Sequence, residues 1–344
     1  MAVPHVGGLG VFRDRQPGDR HEPCRDLIVV SRAGHHCRQS DSSIHLYLVL
    51  MIRIVMLGRL GNNLFQYAFG RMLAEKHGVP LVLDASWFNR RTWPYVAPLE
   101  RLPGFTTGRA KLSRPFSFGS RALLKLTGKH HWEYLGKPVI REAPESHAYD
   151  PGLLSAPPEC VVFGYFQTPL YFRGIDDLLR RELSTQNLGF EAGHEQLAAK
   201  LQSPSAIAVH VRRTDYVNNR NLVLLDTDYY QRAMDRMRNA VPDARFFVFS
   251  DDTAWCRATL TGDDIEVCTH SDPFNPLLDL HLMSLAGHHV IANSSYSWWA
   301  AWLGKKTGQR VLMPDRWFRS GIHARAIEKR CDGWQMLEAN ASGM

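Results

Sequence analysis

Residues 51–84 read MIRIVMLGRLGNNLFQYAFGRMLAEKHGVPLVLD, and the fold is decided in this stretch. A short apolar run from Met51 ends at Gly58, as a buried strand does. Leu64, Tyr67, Ala68, Arg71, Met72 and Glu75 then recur at helical spacing, and Gly78 supplies the stop. VPLVLD follows as a second strand. Strand, helix and strand in this order form the βαβ unit from which open parallel sheets are built. Gly58, Gly61, Asn62, Asn63 and Gln66 read as a small polar turn at the first strand's end, facing a presumptive cleft. The turn is not a P-loop, because the Gly-Lys-Ser/Thr ending is missing.

Working outward, residues 85–158 are rich in Pro, Arg and aromatics, which predicts insertions and loops rather than regular sheet, and a binding surface within them. A second βα series opens near residue 204 with SPSAIAVHVRR. It continues through a helix over Asp228–Asn239, the strand ARFFVFSDD and a helix from Thr253. A helix over Pro276–Ala286, the strand HHVIANSS, a helix over Trp298–Gly304 and the strand RVLMP complete it. Two Rossmann-like α/β lobes are therefore expected, 51–195 and 196–344, with the site in the cleft at the carboxyl ends of their strands.

The chain of 344 residues suits two domains, and 44% hydrophobic with 22% charged residues suits a folded protein. A formal charge of +7 calls for an anionic partner, which charge alone does not identify. The arginines are scattered, which weakens a nucleic-acid reading. The six cysteines (Cys24, Cys37, Cys160, Cys256, Cys268, Cys331) show no metal-ligand spacing and read as free thiols of a reducing compartment. No apolar run approaches the ~20 residues that a spanning helix needs.

The sharpest local feature is His210-Val-Arg212-Arg213-Thr214-Asp215 at the carboxyl end of the apolar strand 206–209. An arginine fork donates parallel charge-assisted hydrogen bonds to a diphosphate and stays charged at every working pH. Adjacent arginines point to opposite sides of a strand, so both serve only if the backbone leaves the sheet there. A solvated pair bridged to Asp215 is the structural alternative. Asn293, Ser294, Ser295, Tyr296 and Ser297 stand between a strand and a helix, where free backbone N–H groups suit phosphate. They serve equally as plain caps, and Trp298, Trp299 and Trp302 read as core. Asp251 and Asp252 close a strand, placed to accept from a guanine ring or ribose, or to cap the next helix.

GRLGNNLFQYAFG, GYFQTPLYF, VHVRRTDYV, FFVFSDD and IANSSYSWWAAWLG, in this order from Met51 to about residue 335, resemble bacterial members of glycosyltransferase family 11, the α-1,2-fucosyltransferases. The resemblance implies a GT-B architecture, GDP-β-L-fucose as donor, a galactose 2-hydroxyl in an acceptor glycan, inversion, no cofactor and no metal. By similarity, Arg212 and Arg213 contact the donor's phosphates and fucose region. His210 and Asp251 or Asp252 lie near the nucleoside, and the serines after Asn293 bind the diphosphate. Asp215 is the candidate base, with orienting the arginines as its alternative role, while Asn62, Asn63 and Gln66 fall on the acceptor side. The expected location is the bacterial cytoplasm, with peripheral contact at the membrane's inner face left open. Arg59 and Asn63 depart from the family's GGLGNQ, and Thr214 from its Gly, predicting a modest shift in loop shape. Transfer to another hydroxyl, or from another GDP-sugar, is the alternative; a non-catalytic carbohydrate or nucleic-acid binder is disfavoured.

Residues 1–50 carry six Arg, five His and no Lys, with no sustained periodicity. They are expected to lie outside the fold, with the natural protein beginning at Met51.

Overall fold

In the computed structural model, the strand read from Met51 becomes β1 (Ile52–Val55), at the centre of a parallel sheet. The structure describes residues 50–88, 91–113, 127, 133, 136–143, 148–188, 193–269, 275–319 and 323–339. The expectations for residues 1–49 lie outside them.

The first lobe contains β1, β2 (Leu81–Asp84), β3 (Ala110–Ser113), β4 (Val139–Arg141) and β5 (Cys160–Phe163), in the spatial order β3-β2-β1-β5-β4. Every pairing is parallel. β3 and β4 fall within the stretch read as loops. AKLS and VIR are short and mix polar with apolar residues outside any longer apolar run, so neither shows the pattern that marks a strand.

The second lobe contains β6 (Ala206–Val211), β7 (Arg245–Ser250), β8 (Ile265–Val267), β9 (His288–Val290), β10 (Val311–Pro314) and β11 (Gln335–Leu337). Their order, β11-β10-β9-β6-β7-β8, is the Rossmann order 3-2-1-4-5-6 read from the other edge. β6 and β9 are neighbours although two strands separate them in sequence, so the chain reverses its winding there. That is the switch point where such sheets bind ligands. β1 and β5 form the matching reversal in the first lobe.

The helices are α1 (Leu60–His77), α2 (Pro103–Thr106), α3 (Asp176–Glu182), α4 (Glu195–Leu201), α5 (Thr227–Arg238), α6 (Thr253–Thr259), α7 (Pro276–Leu285) and α8 (Ser295–Leu303). α1 starts at Leu60, so the polar turn expected over Gly58–Gln66 is confined to its first residues and the rest is helix. Gly and Asn are weak helix formers, and Arg59 gives no side-chain cap, which hid the start from a propensity reading. Gly58, at φ 75, supplies the left-handed residue that turns the chain from β1 into α1. α8 likewise begins three residues before the Trp298 expected from the tryptophans.

Most of α1 is buried, because it is clamped between its own sheet and α8. Phe65 lies 4.7 Å from Trp298 and 5.0 Å from Trp299, ring centre to ring centre, and Phe172 stacks on Trp299 at 5.6 Å. Each such buried aromatic contributes about 1.5–3 kcal/mol, so the lobes share one core. A Cβ on Gly61 would come within 2.5 Å of the Tyr296 backbone nitrogen, so only glycine lets the start of α1 rest on the start of α8. Behind the cleft, Arg71 pairs with Glu182 at 3.0 Å and Tyr67 donates to the same carboxylate at 2.7 Å.

After β10 the chain returns to the first lobe through a 3-10 segment, His323–Lys329. The Thr168 hydroxyl donates to the Glu328 carbonyl at 2.5 Å, the Lys329 ammonium to the Gln167 carbonyl at 3.0 Å, and the Trp298 indole to the Lys329 carbonyl at 2.6 Å. Among the described residues, no helix is long and apolar enough to cross a membrane.

Candidate active site

The two winding reversals face each other across a cleft of about 920 Å³. Its wall on the second lobe comes from the ends of β6, β7 and β9 and from the segment after β10. Its opposite wall comes from Gly58–Asn62, Pro94, Tyr95, Tyr165 and Gln167.

All six residues of β6 are buried, and the chain leaves the sheet after Val211. It turns at once, with the N–H groups of Tyr216 and Val217 both donating to the Arg213 carbonyl at 2.9 Å. The departure frees the backbone as the Arg pair requires, yet the two side chains diverge. Arg212 faces the cleft, with Nε 2.8 Å from Asp215 Oδ1, Nη2 2.9 Å from Asp215 Oδ2 and Nη1 3.1 Å from Asp251 Oδ2. Arg213 turns away and stacks on Trp255 at 4.0 Å, with Asp252 3.4 Å from its Nε.

Burial works against the Arg212 charge, but the hydrogen bond it donates to Asp215 and the charge of Asp251 raise its pKa all the same. For Asp215, burial raises the pKa while Arg212, with Arg59 adding to it, holds the carboxyl below its usual value. An Asp so held suits orienting a guanidinium better than taking a proton.

Asp251 lines the cleft, but its oxygens accept from the Arg213 N–H at 2.9 Å, the Thr214 N–H at 3.3 Å and the Thr214 hydroxyl. It therefore anchors the loop. Thr214 is not at positive φ, and its hydroxyl supplies a tie that the family's Gly lacks. Asp252 caps α6 by accepting from Trp255 N at 3.0 Å, the capping role weighed for it from sequence, and its side chain is outside the cleft lining.

His210 is 6% exposed and lines the cleft, its ring 5.7 Å from that of Tyr296. Burial, with Arg212 adding to it, pushes the imidazole down to about 3, so it is neutral. Its Nδ1 is buried without a protein partner. Asn293 donates from Nδ2 to the carbonyls of Val223 at 2.8 Å and Trp317 at 3.0 Å, which fixes the amide and leaves Oδ1 as an unpartnered acceptor.

Ser294 is the N-cap of α8, makes no side-chain cap bond, and is followed by no acidic residue in the first turn. The first N–H groups of α8 therefore carry partial positive charge into the cleft. Ser295 donates its hydroxyl to Asn62 at 2.7 Å, and Ser297 back-bonds to the Ser294 carbonyl at 3.2 Å. Tyr296 reaches the Pro276 carbonyl at 2.5 Å.

On the first lobe, Asn62 lines the cleft and also accepts from Gln167 Nε2 at 2.7 Å. Asn63 and Gln66 do not reach it. Asn63 donates to the Leu57 carbonyl at 2.8 Å, and Gln66 accepts from Leu57 N at 3.0 Å and donates to the Gly164 carbonyl at 2.9 Å. They splice the turns after β1 and β5, and both are fully buried.

Of the residues singled out from sequence, His210, Arg212, Asp215, Asp251, Asn293, Ser294, Ser295, Tyr296 and Asn62 meet at the cleft, whereas Arg213, Asp252, Ser297, Asn63 and Gln66 do not line it. Arg59, Tyr95, Gln167, Tyr216, Trp317 and Phe318 line it and were missed. Trp317 and Phe318 follow β10, so the rule that ligands sit at strand carboxyl ends applied to RVLMP would have found them. Tyr95 carries no such signal, because the short elements around it are legible only in three dimensions.

Residues 154–337 match the family model described as glycosyl transferase family 11. The alpha-1,2-colitosyltransferase of Escherichia coli is 28% identical over 275 residues, 76% of this chain and 90% of that protein. Galactoside alpha-(1,2)-fucosyltransferase 2 of Mus musculus is 30% identical over 288 residues, 81% of this chain and 76% of that one. Among solved structures, fucosyltransferase NodZ from Bradyrhizobium aligns with a TM-score of 0.41 and 15% identity, over 73% of this chain and 92% of that chain.

Proposed function

The chain belongs to glycosyl transferase family 11, and on that footing we propose that it transfers L-fucose from GDP-β-L-fucose to the 2-hydroxyl of a terminal galactose, with inversion. The observation that carries this reading is Arg212, held by Asp215 and Asp251 in the cleft that the uncapped start of α8 also lines. The α-1,2 linkage is supported by two relatives from distant organisms whose names both carry it.

Inversion is a single displacement in which the acceptor oxygen attacks the anomeric carbon and gives up its proton to solvent while GDP leaves from the other face. Negative charge grows on the β-phosphate as it leaves. Arg212 and the N–H groups of α8 supply fixed positive charge there, the role that a divalent ion fills elsewhere. This supports a metal-independent reaction. Asp215 orients Arg212. The acceptor takes the first-lobe wall, which Tyr95 and Tyr165 line. A bacterial cytoplasmic site of action, with peripheral membrane contact, belongs to the same reading.

A second reading, transfer of colitose, is favoured by the Escherichia coli relative that this chain covers over 90% of its length. Colitose is L-fucose without its 3-hydroxyl. Incubation with GDP-fucose or GDP-colitose and a panel of galactosides, with the product linkage read by NMR, tests both. Fucose on O2 of galactose is expected. Transfer from GDP-colitose alone selects the second reading, and GDP release from neither donor refutes both.

A further inference from the structure

We infer that Arg59, reaching across from the first lobe, supplies the second guanidinium for the diphosphate of the nucleotide sugar, the place that Arg213 does not take. The inference rests on reading the cleft as the GDP-sugar site.

Arg212 by itself does not match the charge of a diphosphate. Arg212 stands between two carboxylates, which leaves the trio with a net negative charge. Asp215 engages its Nε and Nη2, and Asp251 its Nη1, so three of the five N–H donors of that guanidinium are committed. Arg213 does not make up the deficit, because it is stacked on Trp255, paired with Asp252 and absent from the cleft wall.

Arg59 does lie on that wall. Its Nη1 is 3.7 Å from Asp215 Oδ2, the oxygen that also takes Arg212 Nη2 at 2.9 Å. Two guanidinium groups thus flank one carboxylate, one from each lobe, and an anion entering between them meets both. The Arg59 contact is loose and the side chain is 53% exposed, so its donors are available. Its position is nevertheless fixed. The guanidinium lies over the Tyr95 ring at 5.2 Å, and two residues later Gly61 rests on Ser295 and Tyr296 at the start of α8. The helix N-terminus to which a phosphate would bind is therefore in contact with the turn that carries Arg59.

Calorimetric titration of the full chain with GDP and with GMP tests this, because only a contact to the second phosphate separates the two ligands. Arg59→Ala is expected to weaken GDP about tenfold, the loss of one charge-assisted contact, and GMP by less than about threefold. Arg59→Lys should recover part of the GDP affinity. Arg59→Gln, which keeps most of the stem over Tyr95, should behave as the Ala variant does, with an unchanged melting temperature. Equal losses for GDP and GMP, or GDP affinity as in wild type, overturn the assignment while leaving the site reading intact. A GDP-selective loss in Arg213→Ala but not in Arg59→Ala also overturns it. Wild-type protein that binds neither nucleotide overturns both the assignment and the site reading.

Discussion

Asn62, on the first turn of α1, accepts the hydroxyl of Ser295, on the first turn of α8, at 2.7 Å across the cleft, and takes Gln167 Nε2 on the same oxygen. One side-chain carbonyl thereby joins three strand ends. Each such bond contributes about 1 kcal/mol net. Asn62→Ala is expected to lower kcat/KM about tenfold or more through misplacement of the α8 start, while the melting temperature falls only slightly. Asn62→Asp, which keeps the acceptor, should retain more activity than the Ala variant. Steady-state kinetics beside thermal melts check this, and equal losses in the two variants would count against it.

Arg212→Ala removes the charge that the proposed reaction places at the leaving group. The expected fall is about 100-fold to 1000-fold in rate, a few kcal/mol in the transition state. Lys supplies charge without the fork and should restore activity only in part. Wild-type turnover by the Ala variant would take Arg212 out of the chemistry.

Prolonged treatment with EDTA should leave transfer nearly unchanged, since Arg212 and the α8 dipoles carry the compensating charge. An activity lost on chelation and regained with Mg²⁺ or Mn²⁺ would refute metal independence.

The protein should lose stability as the pH falls below about 6.5. Burial pushes both His210 and His289 down to about 3 in the folded chain. The His289 ring sits between the Met283 carbonyl, 2.9 Å from Nε2, and Gln309 Nε2, 3.1 Å from Nδ1, which suits the neutral form. An unfolded histidine binds its proton near pH 6.5, so below that pH the unfolded state gains protons that the folded state refuses. Stability is therefore complete above about pH 6.5 and falls on the acid side by ~1.4 kcal/mol per pH unit for each histidine, down to the folded value. Urea unfolding at pH 7.5, 6 and 5 gives the slope, and His289→Asn should flatten it. An unchanged slope would show that other groups control it.

The βαβ order was legible because Met51–Asp84 changes its apolar period from strand to helix and back within one stretch, and the second sheet because its helices have clear bounds. α5 was expected over Asp228–Asn239 and runs Thr227–Arg238. β3 (AKLS), β4 (VIR), β8 (IEV) and β11 (QML) were not, since each mixes a polar residue into its few apolar ones and none lies in a longer apolar run, and β5 was not read as a strand either. In the site, adjacency in sequence misled. Arg212 and Arg213 look equivalent, and only the turn after β6 decides that one meets the cleft and the other Trp255. Asn63 and Gln66 carry polar side chains beside a presumed site, yet their hydrogen bonds close the main chain around them. Arg59 was noticed as a departure from a pattern; its use became visible only once Asp215 lay beside it.

The return of the chain from β10 to the first lobe sets an order on synthesis. All five strands of that lobe have been made by Phe163, yet the bond from the Thr168 hydroxyl to Glu328 and the bond from Lys329 to the Gln167 carbonyl wait for those two residues. The Trp298 indole, at the contact between lobes, waits for Lys329. On the ribosome the first lobe must therefore persist, with its α8-facing side exposed, through some 130 further residues before the second lobe covers it. That face carries Phe65 and Phe172, whose rings have nothing to pack on from the second lobe until Trp298 and Trp299 are made.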